Sequence, residues 1–354
     1  MIDYLGRRKS QGDLAPYIMK NGRMNPGLLR PFEEEGRAFV SVYIGGDPKK
    51  LSSYSTYPIN ANATLRRDEW KSLDEAVLKI SEKRLGGVDD LIANGLVYSL
   101  GNAMGTTVLE YHDMSDAFTA ELTMDGVSRS KNDRPEFESK YLPIPIVHVD
   151  YEINTRVLEA SRKLGNPLDT TSAERAARKV NEKFEDMLFT DTTYGFGGGT
   201  IYSYLNHPNI NLVTLGTHWN DSPKTAAQII DDVKNMKQAA IDAYHHGPYM
   251  LYIPTAYETV MDEDYNSTTP TTIRERILKI GGVKGVKVID TLPADKVLLV
   301  QMTSDVVRLV RGMGITNVAW KEEGQFVNKF KVMAIQVPQI RADQDGNSGV
   351  VLLG

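Results

Sequence analysis

Residues 117–126, AFTAELTMDG, alternate strictly: Phe118, Ala120, Leu122 and Met124 against Thr119, Glu121, Thr123 and Asp125. Successive side chains of a strand point to opposite faces, so this stretch predicts a strand with one apolar face. A charged tip, VSRSKNDRPEFES, follows, and the chain returns as a second extended stretch, FESKYLPIPIVHVDYEI. Pro143 and Pro145 each remove a ladder donor, which keeps the return out of the middle of a sheet and runs it partly along an edge. The expected product is a long two-stranded hairpin with an apolar face that no neighbouring element covers. An isolated hairpin is marginal in water. This face therefore has to lie on another surface, such as that of a neighbouring subunit.

Around the hairpin the periodicity is helical. In LRRDEWKSLDEAVLKISEKRLGG (65–87), Trp70, Leu73, Val77 and Ile80 share one face, and Gly86-Gly87 reads as a stop. The segment TSAERAARKVNEKFEDMLF opens with a capping box, Thr171 to Glu174. Its apolar stripe is Ala173, Ala176, Ala177, Val180, Phe184, Met187 and Leu188. At about 1.5 Å per residue it is a rod of nearly 30 Å. Further on, Ser222 and Pro223 read as N-cap and first helical residue of a helix through Tyr244. The short strands YMLYIP, VKVID and KVLLVQM alternate with short helices as in a small layered α/β unit, and GQFVNKFKVMAIQVPQI (324–340) is a last long strand. Residues 1–64 are rich in Gly, Pro, Ser and Asn without sustained period, as expected of an extended arm or a disordered one.

At 354 residues the chain exceeds one ordinary core. It has no cysteine, which excludes disulfides, thiol catalysis and thiolate metal sites. No apolar run is long enough to span a bilayer, and the N-terminus lacks the apolar core of a signal peptide. A net charge of -5 gives no overall basic footprint for coating nucleic acid, and the nine Lys/Arg against six Asp/Glu of residues 1–64 are a weak local bias.

The run Gly195, Gly197, Gly198 and Gly199 resembles a phosphate-cradling loop. A dinucleotide fingerprint, however, needs strand, glycines, then helix. Here a helix precedes the run, Thr200 replaces the third glycine, and no Gly-Lys-Ser/Thr follows. The four glycines are expected instead to form a pliable joint. Of the histidines 112, 148, 207, 218, 245 and 246, none falls in a zinc-protease pattern, and His148 with Asp150 is a pair without a nucleophile. Asp231-Asp232 and Asp262-Glu263-Asp264 read as solvated faces. No catalytic, cofactor-binding or metal site is expected.

The order of arm, helix, hairpin, rod helix, Gly-rich loop, α/β unit and final strand resembles the major capsid proteins of tailed phages, the Hong Kong 97-type fold, and within that lineage the encapsulin shell proteins. The resemblance rests on the opening helix at 65–87, on YLPIPIVHVDYEINTRVLEASRKLGNPLDTTSAERAARKVNEKFEDMLFTDT, and on GTIYSYLNHPNI, which is similar to the family's glycine-led stretch after its spine helix. It implies an α+β capsid subunit divided into an N-terminal arm (1–64), a peripheral domain (65–107 and 151–222), an extended hairpin loop (108–150), an axial domain (223–319), and a peripheral final strand and tail (320–354).

The resemblance further implies that Phe118, Leu122, Met124, Phe137 and Tyr141 of the hairpin meet the adjacent subunit, and that Val180, Phe184 and Leu188 seat the spine helix. Lys131, Lys140 and Asn328 are the crosslink candidates, a solvated lysine being the simpler reading. The implied partners are further copies of the chain in pentamers and hexamers, with scaffolding, portal or decoration proteins and packaged double-stranded DNA, in a virion assembled in a host cytoplasm. Sixty-four residues ahead of the opening helix favour a phage capsid over an encapsulin compartment. A nucleotide-binding α/β enzyme is the competing reading from another class.

Overall fold

In the computed structural model the described residues are 32–34, 37–43, 54–58, 65, 69–70, 72–73, 86–101, 103–114, 124, 137–164, 171–266, 269–321, 327–343 and 345–354. The elements run β1 (Phe32–Glu34), β2 (Arg37–Tyr43), β3 (Tyr54–Pro58), α1 (Gly86–Ala93), β4 (Val97–Ser99), β5 (Val108–Met114), β6 (Phe137–Pro143), β7 (Val147–Asn154), α2 (Thr155–Leu164) and α3 (Thr171–Phe189). They continue with β8 (Tyr194–Phe196), β9 (Gly199–Ile201), β10 (Asn211–Val213), α4 (Ala226–Asp242), β11 (Tyr249–Pro254), α5 (Glu258–Met261), β12 (Asp264–Asn266), β13 (Thr269–Thr272) and α6 (Ile273–Leu278). The last are β14 (Val283–Ile289), β15 (Val297–Gln301), β16 (Val307–Lys321), β17 (Val327–Ile340) and β18 (Val350–Leu353).

Two larger sheets organise the chain. The first has the order β4-β16-β17-β7 and carries the rod helix α3 on one face. Strand β7 alternates half-buried Val147, Val149, Tyr151 and Ile153 with exposed His148, Asp150, Glu152 and Asn154, as its sequence period requires. All seven residues of the expected α3 stripe are buried, with Asn181 and Phe189. Tyr151 stacks on Phe330 at 5.0 Å, and Trp70 meets the same ring edge-on.

The second sheet has the order β10-β18-β15-β11-β14, and its central strands β18, β15 and β11 are buried on both faces. Tyr249, Leu251, Ile253, Val297, Leu299, Val351 and Leu353 point to the layer of α4 and α6. The alternate residues Met250, Tyr252, Leu298, Val300, Val350 and Leu352 join the core of the first sheet. A period of two thus lets one sheet serve two cores, and its central strands β11, β15 and β18 read as near-continuous apolar runs.

Several expectations are revised. Gly86 and Gly87 open α1, and a Cβ on Gly87 would collide with the Phe189 ring; the residues 74–85 before them lie outside the described residues. Trp70 and Leu73 are helical and buried, whereas Val77 and Ile80 lie outside the described residues. The helix expected from Ser222 begins at Ala226. Thr225 is its N-cap and exchanges hydrogen bonds with Gln228, a reciprocal pairing that Ser222 and Pro223 do not offer.

The last strands divide between the two sheets. Strand β16, unmarked by the turn-and-period reading, pairs along its length with β17 in the first sheet, while the tail strand β18 belongs to the second. Residues 1–64 contain the meander β1-β2-β3, in which Phe32 is buried and stacks on Phe39. Among the described residues no helix is long and apolar enough to cross a membrane.

Candidate assembly surface

The projecting hairpin is rooted in β5 and β6, paired antiparallel from Val108↔Pro143 to Met114↔Phe137. The return strand thus pairs with 108–114, upstream of the alternating stretch that was expected to face it. Pro143 ends β6, and Ile144 donates its N–H to the Thr107 carbonyl, closing the root. Phe118, Leu122 and Lys131 lie outside the described residues. Met124, from the same alternating stretch, is fully exposed. Phe137 opens β6 opposite Met114, and Tyr141 is 42% exposed.

In place of an open joint, the glycine run folds into a tight hairpin. Strands β8 and β9 pair Tyr194↔Ile201 and Phe196↔Gly199, with Gly197 and Gly198 at the turn. Their φ angles of 60° and 81° are those a two-residue hairpin of the right-handed sheet twist demands, and glycine adopts them without steric cost. The turn packs on the root of the long hairpin. A Cβ on Gly197 would strike Val108 Cγ2, and one on Gly199 would overlap the Tyr141 carbonyl. Gly195 has no such neighbour. No helix opens behind these glycines, so their amides are not aimed by a helix N-terminus as a dinucleotide fingerprint requires.

On its outer side this glycine hairpin exposes Tyr194 and Phe196, two residues apart on one strand face. Beside them Ile146 is also exposed, in the bend between β6 and β7. A groove of about 550 Å³ runs between β7, the second half of α3 and the glycine hairpin. Ile146, Val147, Val149, Met187, Tyr194 and Ile201 line it, together with Lys179 and Lys183.

A polar cluster ties helix α1 to the second sheet. Asp90 of α1 is 5% exposed, accepts from the Tyr252 hydroxyl of β11 at 3.0 Å, and pairs with Lys287 of β14. Burial pushes the hydroxyls of Tyr252 and Tyr204 far above the ordinary tyrosine range, so Tyr252 serves as a donor. Glu185 of α3 accepts the backbone N–H groups of Gly86 and Gly87, which occupy the free donors at the start of α1. Burial raises its carboxyl pKa, with Asp290 and Asp89 adding to the shift and the two N–H groups opposing it. Reading by residue type missed this cluster, since Asp90 and Lys287 are far apart in sequence. Its one local sign was Gly-Gly at a helix boundary.

The remaining expected residues fall as follows. Val180, Phe184 and Leu188 are buried on the sheet side of α3. Lys140 lies on β6, and Asn328 in β17 is 1% exposed, which shields its amide from any outside lysine in the single chain. His148 Nδ1 lies 3.4 Å from Asp150, which Lys331 also approaches, all on the outer face of the first sheet. His218 pairs with Asp295 at 3.3 Å, and His112 meets Ser139 at 3.2 Å across the root strands. Asp232, expected on a solvated face, is instead paired with buried Lys224 and accepts from the Trp219 indole N–H. The described residues hold no cluster of three or more His, Cys, Asp or Glu placed to bind a metal.

A long helix on one sheet, a second sheet buried on both faces, and a rooted projecting hairpin together make the Hong Kong 97-type capsid fold. Two solved structures share it. A virus-like particle from Pyrococcus furiosus aligns with a TM-score of 0.59 at 18% identity, over 80% of this chain and 99% of that one. The capsid of Myoviridae phage XM1 aligns with a TM-score of 0.56 at 10% identity, over 74% and 90%. In sequence, the chain is 22% identical over 210 residues to the type 1 encapsulin shell protein EncA of Myxococcus xanthus (strain DK1622), spanning 59% of this chain and 68% of that protein. The chain itself belongs to a family of unknown function, DUF6260, whose model matches residues 60–353.

Proposed function

We propose that this chain is a non-enzymatic shell subunit that self-assembles through pentamers and hexamers into a closed capsid around a double-stranded DNA genome. The observation that carries the reading is the projecting hairpin, braced at its root by the glycine turn and presenting apolar residues that its own chain leaves uncovered. A monomer gains nothing from such a hairpin, whereas repeated interfaces bury it at about 25 cal/mol per Å² of apolar area before ordering costs. The first sheet with α3 takes the peripheral role, and the second sheet with α4 and α6 the axial role around the symmetry axes. Scaffolding, portal and decoration proteins are the further partners, and a virion is the place of action.

A second reading, an encapsulin compartment around enzyme cargo, is favoured by the likeness to the encapsulin shell protein of M. xanthus. Electron microscopy of the purified protein tests both. Closed particles with DNA inside support the first, small shells with protein cargo the second, and a chain that stays monomeric at every concentration defeats both. A single monomer band on denaturing gels of assembled particles would dismiss a crosslink through Lys131, Lys140 or Asn328.

A further inference from the structure

We infer that a phosphate group binds at one end of the first sheet, between the guanidinium of Arg308 in β16 and that of Arg341, just beyond β17. The site does not depend on the shell-subunit reading. Arg308 stands opposite Gln339 in the ladder, and Arg341 follows two residues after Gln339, donating its N–H to the Val306 carbonyl at 2.8 Å. Residues two apart on an extended chain share a face, so Arg341 lies diagonal to Arg308, a spacing that long side chains span. Two cations thus meet on one face of the sheet.

Arg308 is held in place yet only partly engaged. Its Nε donates to Gln339 Oε1 at 2.6 Å, and its Cζ lies 4.5 Å from the centre of the Tyr98 ring of β4. That hydrogen bond settles which end of the Gln339 amide is oxygen, so Nε2 is a donor, and it is buried without an acceptor. One face and one N–H of the guanidinium are taken, while its two Nη groups have no acceptor among the described residues. The titratable groups that act on Arg308 are Arg341, Tyr98 and Tyr111, and none is a carboxylate. Burial, and after it the charge of Arg341, lowers its pKa. A half-buried cation beside a like charge and an unmet donor lacks an anion. A tetrahedral oxyanion supplies one, because the guanidinium fork meets phosphate oxygens two at a time.

The site is open to solvent. Tyr98 is 41% exposed, and Arg341 lines a cavity of about 350 Å³ with His112, Tyr244, His245, Asp305 and Asp343. Asp343 is turned to Asn347, whose backbone N–H and side-chain amide it accepts, and neither it nor Asp305 acts on Arg308. Gln339 Nε2 is closed to solvent and acts as a fixed donor dipole behind the guanidiniums. Direct contacts fall to the Arg308 Nη groups and the Arg341 guanidinium. The phosphate can be the free ion or a phosphodiester of a nucleic-acid backbone, which present the same oxygens.

Thermal melts of the full chain in sodium phosphate, against sodium chloride of equal ionic strength, test the site. Phosphate should stabilise the wild type saturably, and Arg308→Gln and Arg341→Gln should each weaken its binding at least about tenfold, the loss of one charge-assisted contact. A wild type that phosphate stabilises no more than chloride, or variants that bind it as well as the wild type, overturns the assignment. Given phosphate binding, a short dye-labelled DNA duplex read by anisotropy separates the two sources. Duplex binding that phosphate competes and both substitutions weaken assigns the site to a nucleic-acid backbone, and any other result assigns it to the free ion. Should a variant misfold, the wild type decides alone. Phosphate should shield Arg308 and Arg341 from phenylglyoxal, an arginine-directed reagent, while exposed Arg156 reacts as before, as read by peptide mass spectrometry. Equal modification of Arg308 with and without phosphate overturns the site.

Discussion

Gly199 of the glycine hairpin lies directly against the backbone carbonyl of Tyr141, with no room between them for a Cβ. This contact joins the turn that follows the spine helix to the strand that carries the projecting hairpin. It sets where that hairpin leaves the body of the protein.

Replacing Gly199 by Ala should therefore force β9 and β6 apart. The expected loss is about 1–3 kcal/mol of subunit stability, the usual cost of inserting atoms into a packed site. Gly195→Ala, on the paired strand β8 with no atom in conflict, should change stability little. Denaturant unfolding of separated subunits reads both values, and equal effects would argue against the brace.

The turn itself separates two requirements. Gly198 has φ +81° and open space around its Cβ position, whereas Gly197 has φ +60° and Val108 in the way. Gly198→Asn should be nearly neutral, because Asn tolerates the left-handed region. Gly197→Val should be damaging, since it adds a clash and a backbone strain of about 1–2 kcal/mol. Thermal melts of the two variants check the ordering.

Where α1 meets the second sheet, Asp90→Ala would leave the buried Tyr252 hydroxyl without its acceptor and Lys287 without its counter-charge. The expected cost is about 1–3 kcal/mol, most of it from the unsatisfied Tyr252 hydroxyl because Lys287 is half-exposed, against about 1 kcal/mol for Tyr252→Phe, which removes one hydrogen bond and leaves the ion pair in place. A double variant costing less than the sum of the two measures their coupling.

Glu185 makes a pH prediction. Its folded-state pKa is raised above the ordinary 4.5, mainly by burial, so the folded chain takes up a proton at a higher pH than the unfolded chain. Its contribution to stability is fully present below pH 4.5 and is lost as pH rises through the folded value. Glu185→Gln, which still accepts the Gly86 and Gly87 N–H groups, should raise the melting temperature at pH 8. The gain should shrink as pH falls toward 4.5. A gain independent of pH would mean that ionisation of Glu185 is not its source.

Much of this architecture was legible because it rests on local periodicity. The stripe from Ala173 to Leu188 repeats with the helical period and is buried as that period requires. Val147 to Asn154 alternates in sequence and in exposure alike. The fold class followed from the order of such elements. Less was legible where a residue answers to a distant partner. Gly86 and Gly87 mark a helix boundary in the sequence, but that they open α1 under Phe189 and Glu185 depends on contacts about 100 residues away. Strand β16 carries Gly312 and Gly314, which blur its period, and Gly312 is needed where Ala103 comes close.

From the chain alone came a rod helix, a hairpin whose apolar face demanded outside cover, and the absence of thiol chemistry. These follow from side-chain type and spacing, which act over a few residues. The tertiary structure decided that the glycine run is a turn braced on the hairpin root, that Asp90 ties α1 to the second sheet, and that β18 lies in that sheet between β10 and β15. Each depends on backbone approach or on pairing across long stretches of chain, and no local pattern of residue types encodes which distant surfaces will meet.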